Sequence, residues 1–316
     1  MDFKGKNYWA LVLGGSSGFG LATAQRLARA GMNICIVHRD RKGSMPKVEE
    51  EFQKIRDTGA KLITFNTNAL TEEGRTEVLD ALSGDEGING GRIRLLMHSI
   101  ALGNLKVLAK IPETDKEERA GARQKLAEKL GVSVDAVSSA VQDLFDEGVD
   151  SMHLLTEPPD YDDELLMEDE DIALTVHAMG TSLLAWVQEC LGREMFAEDA
   201  RVIGLTSEGN QIAWRGYAAV GAAKVALEAL SRSMALEFAP YGIRSNIVQA
   251  GVTDTPALRL IPGNTHMKSG VRLRNPFGRL TTPEDVAGFI GLLCTDEASW
   301  INGEIIRVDG GEHIAG

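Results

Sequence analysis

The stretch YWALVLGGSSGFGLATAQRLARAG, residues 8–31, decides the fold. Its opening run is short, almost wholly apolar and closed by glycine, which predicts a strand covered on both faces. From Phe19 onward apolar residues recur at helical spacing, predicting an amphipathic helix that stops at Gly31. The same alternation runs on through the chain. Strands are predicted at 8–14, 33–38, 61–66, 93–99, 200–207, 243–249 and 304–310, and helices at 19–31, 47–59, 71–82, 172–191 and 283–294, with a long one around 216–246. Strands alternating with helices predict an α/β fold, a doubly wound parallel sheet of about seven strands with helices on both faces. No internal repeat interrupts the pattern, and 1–316 reads as one domain.

Composition narrows the function. The chain has 316 residues, a net charge of −13 and 43% hydrophobic residues. An acidic surface repels phosphates, so nucleic acid is not expected as a partner. No window reaches the eighteen or so apolar residues of a membrane span, and the N-terminal apolar run ends in glycines rather than forming a signal peptide. The scattered Cys35, Cys190 and Cys294 lack metal-ligand spacing and suit a reduced, cytoplasmic setting.

One segment breaks the rhythm. Residues 104–171 hold nineteen acidic and seven basic side chains, so nearly all the net charge sits there. Two helices and then an exposed acidic loop are predicted. The segment leaves the carboxyl end of the fourth strand, where ligands bind in such sheets, so it is a candidate lid. Residues 126–141 have helix-turn-helix spacing, but the would-be reading helix carries Asp135 and no basic residue. Ser151 faintly matches a phosphopantetheine site, though the prolines of EPPD break the helix that should follow.

In the glycine loop, Gly14 permits the tight turn, Gly18 lets the backbone approach a pyrophosphate and Gly20 permits close helix packing, while the helix N-terminus attracts negative charge. That context points to a dinucleotide. At the end of the second strand, VHRDR (37–41) places His38 where an acid would bind the ribose of NAD, followed by Arg39 and Arg41. Guanidinium groups suit a 2′-phosphate, so NADP(H) is favoured over NAD(H), with Asp40 as the competing feature. Further along, Tyr217 and Lys224 lie seven apart, about two helical turns, and project from one face.

Together these residues resemble the short-chain dehydrogenase/reductase superfamily with its Rossmann-type fold, and within it the enoyl-[acyl-carrier-protein] reductases. The resemblance covers about 1–103 and 172–316 and leaves the insert outside. It is carried by GGSSGFG, HSIA (98–101), VHAMG (176–180), QAGVTDT (249–255), VDGG (308–311) and the Tyr-x6-Lys spacing of YAAVGAAK. Most superfamily members place the tyrosine four before the lysine, where this chain has Val220. One enoyl subgroup has a second tyrosine where this chain has Ser207, which is also where the wider superfamily carries a catalytic serine.

The resemblance implies catalytic roles for Tyr217, Lys224 and Ser207. Lys224 would hold the nicotinamide ribose and lower the tyrosine pKa. The dinucleotide would lie along Gly14, Ser16, Ser17, Gly18, Phe19, Gly20, Arg39, Asn68, Ser99, Ile100, Ala101, Lys224, Gly251, Thr253 and Thr255. Ala101, Trp214, Tyr217 and Leu258 would border the acyl pocket, and 256–270 would be a mobile substrate-binding segment. His177 fits either the family pattern or a structural histidine. The implied reaction is reduction of the C=C bond of a 2-enoyl thioester by a homo-oligomer. A ketone reductase of the same superfamily, or a cofactor-sensing protein without catalysis, are the alternatives.

Overall fold

The computed structural model describes residues 1–84, 87–112 and 114–315, with no side chains described over 114–119. Glu113 of the predicted insert and the terminal Gly316 therefore lie outside it. Seven strands form one parallel sheet in the order β3-β2-β1-β4-β5-β6-β7. They are β1 (Tyr8–Leu13), β2 (Asn33–His38), β3 (Leu62–Asn66), β4 (Arg92–His98), β5 (Phe196–Thr206), β6 (Ile243–Ala250) and β7 (Ile305–Val308). The helices are α1 (Gly18–Arg29), α2 (Met45–Arg56), α3 (Glu72–Ser83), α4 (Thr114–Leu130), α5 (Val134–Asp146), α6 (Asp169–Val176), α7 (Ser182–Gly192), α8 (Ala218–Glu237), α9 (Asn264–Arg274) and α10 (Pro283–Leu293). Among the described residues no helix is long and apolar enough to cross a membrane.

The continuous apolar runs are explained by two-sided cover. Along β1, Ala10 and Val12 point to a cluster with Leu27 of α1, Phe52 of α2 and Ile290 of α10. Trp9, Leu11 and Leu13 alternate to the other face and meet Leu79 of α3, Trp186 of α7 and Leu227 of α8. Cys35, Cys190 and Cys294 are buried and free, and burial pushes the thiols of Cys190 and Cys294 up to about 12. The chain winds outward from β1 to β3, then crosses to β4 on β1's other side. That reversal leaves a crevice between the carboxyl ends of β1 and β4.

Three boundaries differ from expectation. Strand β5 starts at Phe196, earlier than its apolar run, because Phe196 pairs with Ile93 across a register shift. The charged residues in between are used: Asp199 receives Arg94, Arg201 and Arg244 from three adjacent strands. The single helix predicted at 172–191 begins at Asp169, where Glu168 and Asp171 form a capping box, and it contains a π-helical turn at His177–Thr181. Gly180 in that turn lets α8 approach closely, since a Cβ there would lie 2.8 Å from the Ala223 carbonyl oxygen. Finally, Tyr217 is not inside a helix but caps the start of α8, after Gly216 at φ +75.

The insert leaves the sheet after β4 and returns into α6. Its two ends are laced together: Lys106 pairs with Asp171 at 2.7 Å, the Met167 amide donates to the Val107 carbonyl at 2.9 Å, and the Ile111 amide donates to Asp163 at 3.0 Å. Helices α4 and α5 share a small core of Ala127, Val137 and Val141. The turn after α5 is tied to α9, where Arg272 makes two bonds of 2.5 Å to Asp150 and the Ser269 hydroxyl donates to the Asp150 carbonyl at 2.9 Å.

Candidate active site

The crevice at the carboxyl ends of β1, β2 and β4 opens into a cavity of about 400 Å³. Gly14, Ser16, Ser17, Gly18 and Phe19 form one wall. Gly14 holds φ +84, and a Cβ on it would stand 2.6 Å from the Ser99 carbonyl oxygen, so only glycine lets the β1 and β4 turns meet. Gly20 lines no cavity; its missing side chain lets α1 pack on the Gly14 carbonyl, where a Cβ would come within 2.2 Å. Ser17 caps α1 in an extended conformation and its hydroxyl makes no cap bond, so the hydroxyl and the helix's positive end both remain available to an anion.

At the end of β2, Arg39 and Asp40 line the same cavity. His38 is buried, and its Nδ1 lies 2.8 Å from the Asp40 carboxylate. Asn66 holds the Asp40 backbone by bonds of 2.9 and 3.0 Å. Arg39 is exposed. Asn68 lines the cavity farther along, and Ser99, Ile100 and Ala101 border both this space and the next.

The next space, about 190 Å³, shares Phe19, Thr255 and Leu260 with the first and reaches Tyr217, Lys224 and Ser207. The Tyr217 hydroxyl lies 3.5 Å from the Ser207 hydroxyl. Lys224 donates to the Leu205 carbonyl at 2.8 Å and is buried; burial brings its pKa down to about 8, with the Glu228 carboxylate one turn on opposing that fall. Tyr217 contradicts expectation. Burial raises its phenol pKa, and the Ser207 contact offsets this only in part, so it keeps its proton at neutral pH. The lysine is directed to the Leu205 carbonyl instead of acting as the expected depressor of the phenol. His98, bonded to Ser182 at 3.0 Å, is held near 3 by burial and by Lys224, and so stays neutral.

Gly251, Thr253, Thr255 and Leu258 line this smaller space. Trp214 does not. It lies before the Gly216 turn, outside helix α8, so helical spacing does not bring it to the Tyr217 face, and it borders neither cavity. His177 is exposed, and its Nε2 sits 3.1 Å from the Leu70 carbonyl, a structural partner. The segment 256–270 is more ordered than a loop: a turn at Leu258–Leu260 leads to Gly263, φ +76, and into α9.

Sequence reasoning missed Leu105, Met179 and Val220, which give the small cavity its apolar wall. Val220 was legible, standing three after Tyr217 and four before Lys224 on one face. Leu105 and Met179 come from distant segments and carry no local signal. It also missed Arg274, which binds Glu208 at 2.6 Å and Glu312 at 3.0 Å, while Glu312 accepts the Val252 amide at 3.1 Å. That bridge joins the loops that carry Ser207 and Thr253 to the end of α9.

Comparison with known proteins agrees with this geometry. Residues 8–119 match the short chain dehydrogenase family and residues 159–313 match the family described as enoyl-(acyl carrier protein) reductase. The chain is 40% identical over 117 residues to 1-cyclohexenylcarbonyl-CoA reductase of Streptomyces collinus, covering 36% of this chain and 41% of that protein. It is 36% identical over 135 residues to the enoyl-[acyl-carrier-protein] reductase [NADH] of Aquifex aeolicus, covering 43% of this chain and 50% of the other. The chain thus spans half or less of the length of these curated relatives. The crystal structure of the Aquifex aeolicus reductase superposes with a TM-score of 0.67 over 99% of this chain and 98% of its own, at 24% identity. A Burkholderia cenocepacia short chain dehydrogenase in complex with NADP superposes with a TM-score of 0.68 over 98% of each chain, at 20% identity.

Proposed function

The chain belongs to the short-chain dehydrogenase/reductase superfamily, and we propose that it reduces the C=C bond of a 2-enoyl thioester with a nicotinamide dinucleotide. The observation that carries this reading is a protonated Tyr217 at an apolar cavity, seven residues before a buried lysine, with the inert Val220 at the superfamily's usual tyrosine position. The family match at 159–313 and the enoyl-thioester reductases among the relatives support it.

The residues present fit the dinucleotide. Glycines 14 and 18 leave a backbone cradle that side chains would fill or strain, and the uncapped Ser17 hydroxyl meets the positive end of α1. Gly18, Ser17 and Ser16 would hold the pyrophosphate, Asn68 the adenine side, and Ser99 and Thr253 the nicotinamide end. When bound, the cofactor supplies a hydride to the β-carbon of the substrate. Negative charge then builds on the thioester oxygen, a neutral Tyr217 hydroxyl is the donor that stabilises it, and a proton drawn ultimately from solvent adds at the α-carbon to complete the saturation. A phenol kept protonated by burial suits that task better than a phenolate, which could only accept. Lys224, a buried cation below about pH 8, adds a positive field in a site of low dielectric. Ser207 orients the phenol or the substrate carbonyl.

NADPH is the favoured form, because Arg39 lines the cavity while the Asp40 carboxylate is engaged by His38. The relatives divide here: the Aquifex aeolicus reductase is named for NADH and a structural neighbour holds NADP. Oxidation of NADPH and NADH with crotonyl-CoA and with acetoacetyl-CoA tests the proposal. Reduction of the ketone alone would replace it with the second reading, carbonyl reduction, which the 3.5 Å contact between Ser207 and Tyr217 favours.

A further inference from the structure

We propose that the acidic insert sets the length of the acyl group. Leu105 forms one rim of the acyl cavity and Tyr161 stands behind that rim, so the site accepts short 2-enoyl thioesters and turns long-chain ones away. The inference rests on the enoyl-thioester reading and adds a substrate class to it.

The rim in question is formed by Leu105, Tyr217 and Ile261. Behind it stand two glycines, Gly216 just before Tyr217 and Gly263 just before α9. The insert occupies the gap between them. A Cβ on Gly216 would lie 3.5 Å from the Leu105 carbonyl oxygen and 3.8 Å from Cδ1 of Tyr161. A Cβ on Gly263 would lie 2.7 Å from Pro159 and 3.5 Å from the Tyr161 hydroxyl oxygen. Tyr161 therefore stands beside both walls, its ring edge toward the loop that presents Tyr217 and its hydroxyl toward the loop that enters α9. The Arg215 guanidinium sits 5.8 Å from the centre of that ring and steadies it.

The crosspiece is anchored at both ends. The laced stem fixes the insert to the sheet, and the Asp150–Arg272 and Asp150–Ser269 bonds fix it to α9. An acyl tail directed past Leu105 between Gly216 and Gly263 would meet Pro159 and Tyr161. The space at Tyr217, about 190 Å³, falls below the roughly 300–1,000 Å³ of sites that engulf larger ligands, and the nicotinamide must share it. Tyr161 acts here as a positioning residue, and Leu105 as the wall the acyl group meets.

The test compares kcat/KM for crotonyl-CoA and 2-dodecenoyl-CoA in the wild type, Leu105→Ala, Tyr161→Ala and Tyr161→Phe. The wild type is expected to prefer the short substrate by about 100-fold, each alanine variant to cut that preference at least about tenfold, and Tyr161→Phe, which keeps the ring, to retain it. Should Tyr161→Ala fail to fold, Leu105→Ala carries the test. Comparable wild-type efficiency on both substrates, or a preference untouched by the alanine variants that fold, overturns the inference while leaving the enoyl reading intact. Failure to reduce crotonyl-CoA at all overturns the enoyl reading and this inference with it.

Discussion

Lys224→Met should abolish catalysis and yet make the protein harder to unfold. Burial brings the lysine from 10.5 down to about 8. At about 1.4 kcal/mol for each tenfold change in proton affinity, the folded state loses roughly 3 kcal/mol by keeping this group charged at neutral pH. Methionine keeps most of the volume and removes the charge. Against that gain stands the lost bond to the Leu205 carbonyl, about 1–2 kcal/mol, the attraction of Glu228 being already contained in the fall to about 8. A net stabilisation of about 1–2 kcal/mol remains. The pH dependence supplies a second check. The unfolded lysine holds its proton up to 10.5, whereas the folded one releases it near 8. Between those values the unfolded chain binds more protons, so wild-type stability rises with pH by up to roughly 1.4 kcal/mol per unit, a rise the variant lacks. Urea unfolding of both proteins at neutral pH and at about pH 9.5 reads the difference. A variant less stable than wild type at neutral pH, or an advantage that does not shrink as pH rises, would refute the reasoning.

Three further outcomes are expected. Tyr217→Phe should lower kcat on crotonyl-CoA by about 10²–10³ with little change in KM, since it removes a donor used chiefly in the transition state and leaves the ring's packing in place; turnover within threefold of wild type would remove Tyr217 from the chemistry. Arg39→Ala should raise KM for NADPH about tenfold and leave KM for NADH nearly unchanged, the loss of one charge-assisted contact to phosphate; equal effects on both cofactors would count against a 2′-phosphate site. Asp199→Ala removes the carboxylate shared by the buried Arg94 and Arg201 and the half-buried Arg244, and should cost about 3 kcal/mol in chemical denaturation, the low end for a broken buried pair because Asp199 is 27% exposed and Arg94 keeps Asp296.

The sheet was legible because parallel strands buried on both faces leave almost no choice of residue: Leu11, Val12, Ile34, Ile36, Leu95 and Met97 spell it out locally. The glycine loop was legible for a related reason, since Gly14 and Gly20 each meet backbone that admits no side chain. What failed were inferences that extended helical periodicity past a helix end. Tyr217 and Lys224 read as one face of a single helix, but the helix begins only at Ala218. The sign of the phenol's shift also escaped the sequence, because it depends on burial rather than on the neighbour two turns along. The early start of β5 was hidden by Glu198 and Asp199, whose charges read as loop. The placement of Leu105 and Tyr217 on one cavity, and of Tyr161 beside two distant glycines, arises from tertiary approach alone.

The Asn104 amide donates to the Thr175 hydroxyl at 3.0 Å, so the insert departs from and returns to one point of the molecule. The cost of closing such an excursion grows only slowly with its length, and the strands on either side need not move to admit it. An appendage built this way behaves as a cassette that can be lengthened or trimmed while the sheet and the catalytic parts beneath keep their places.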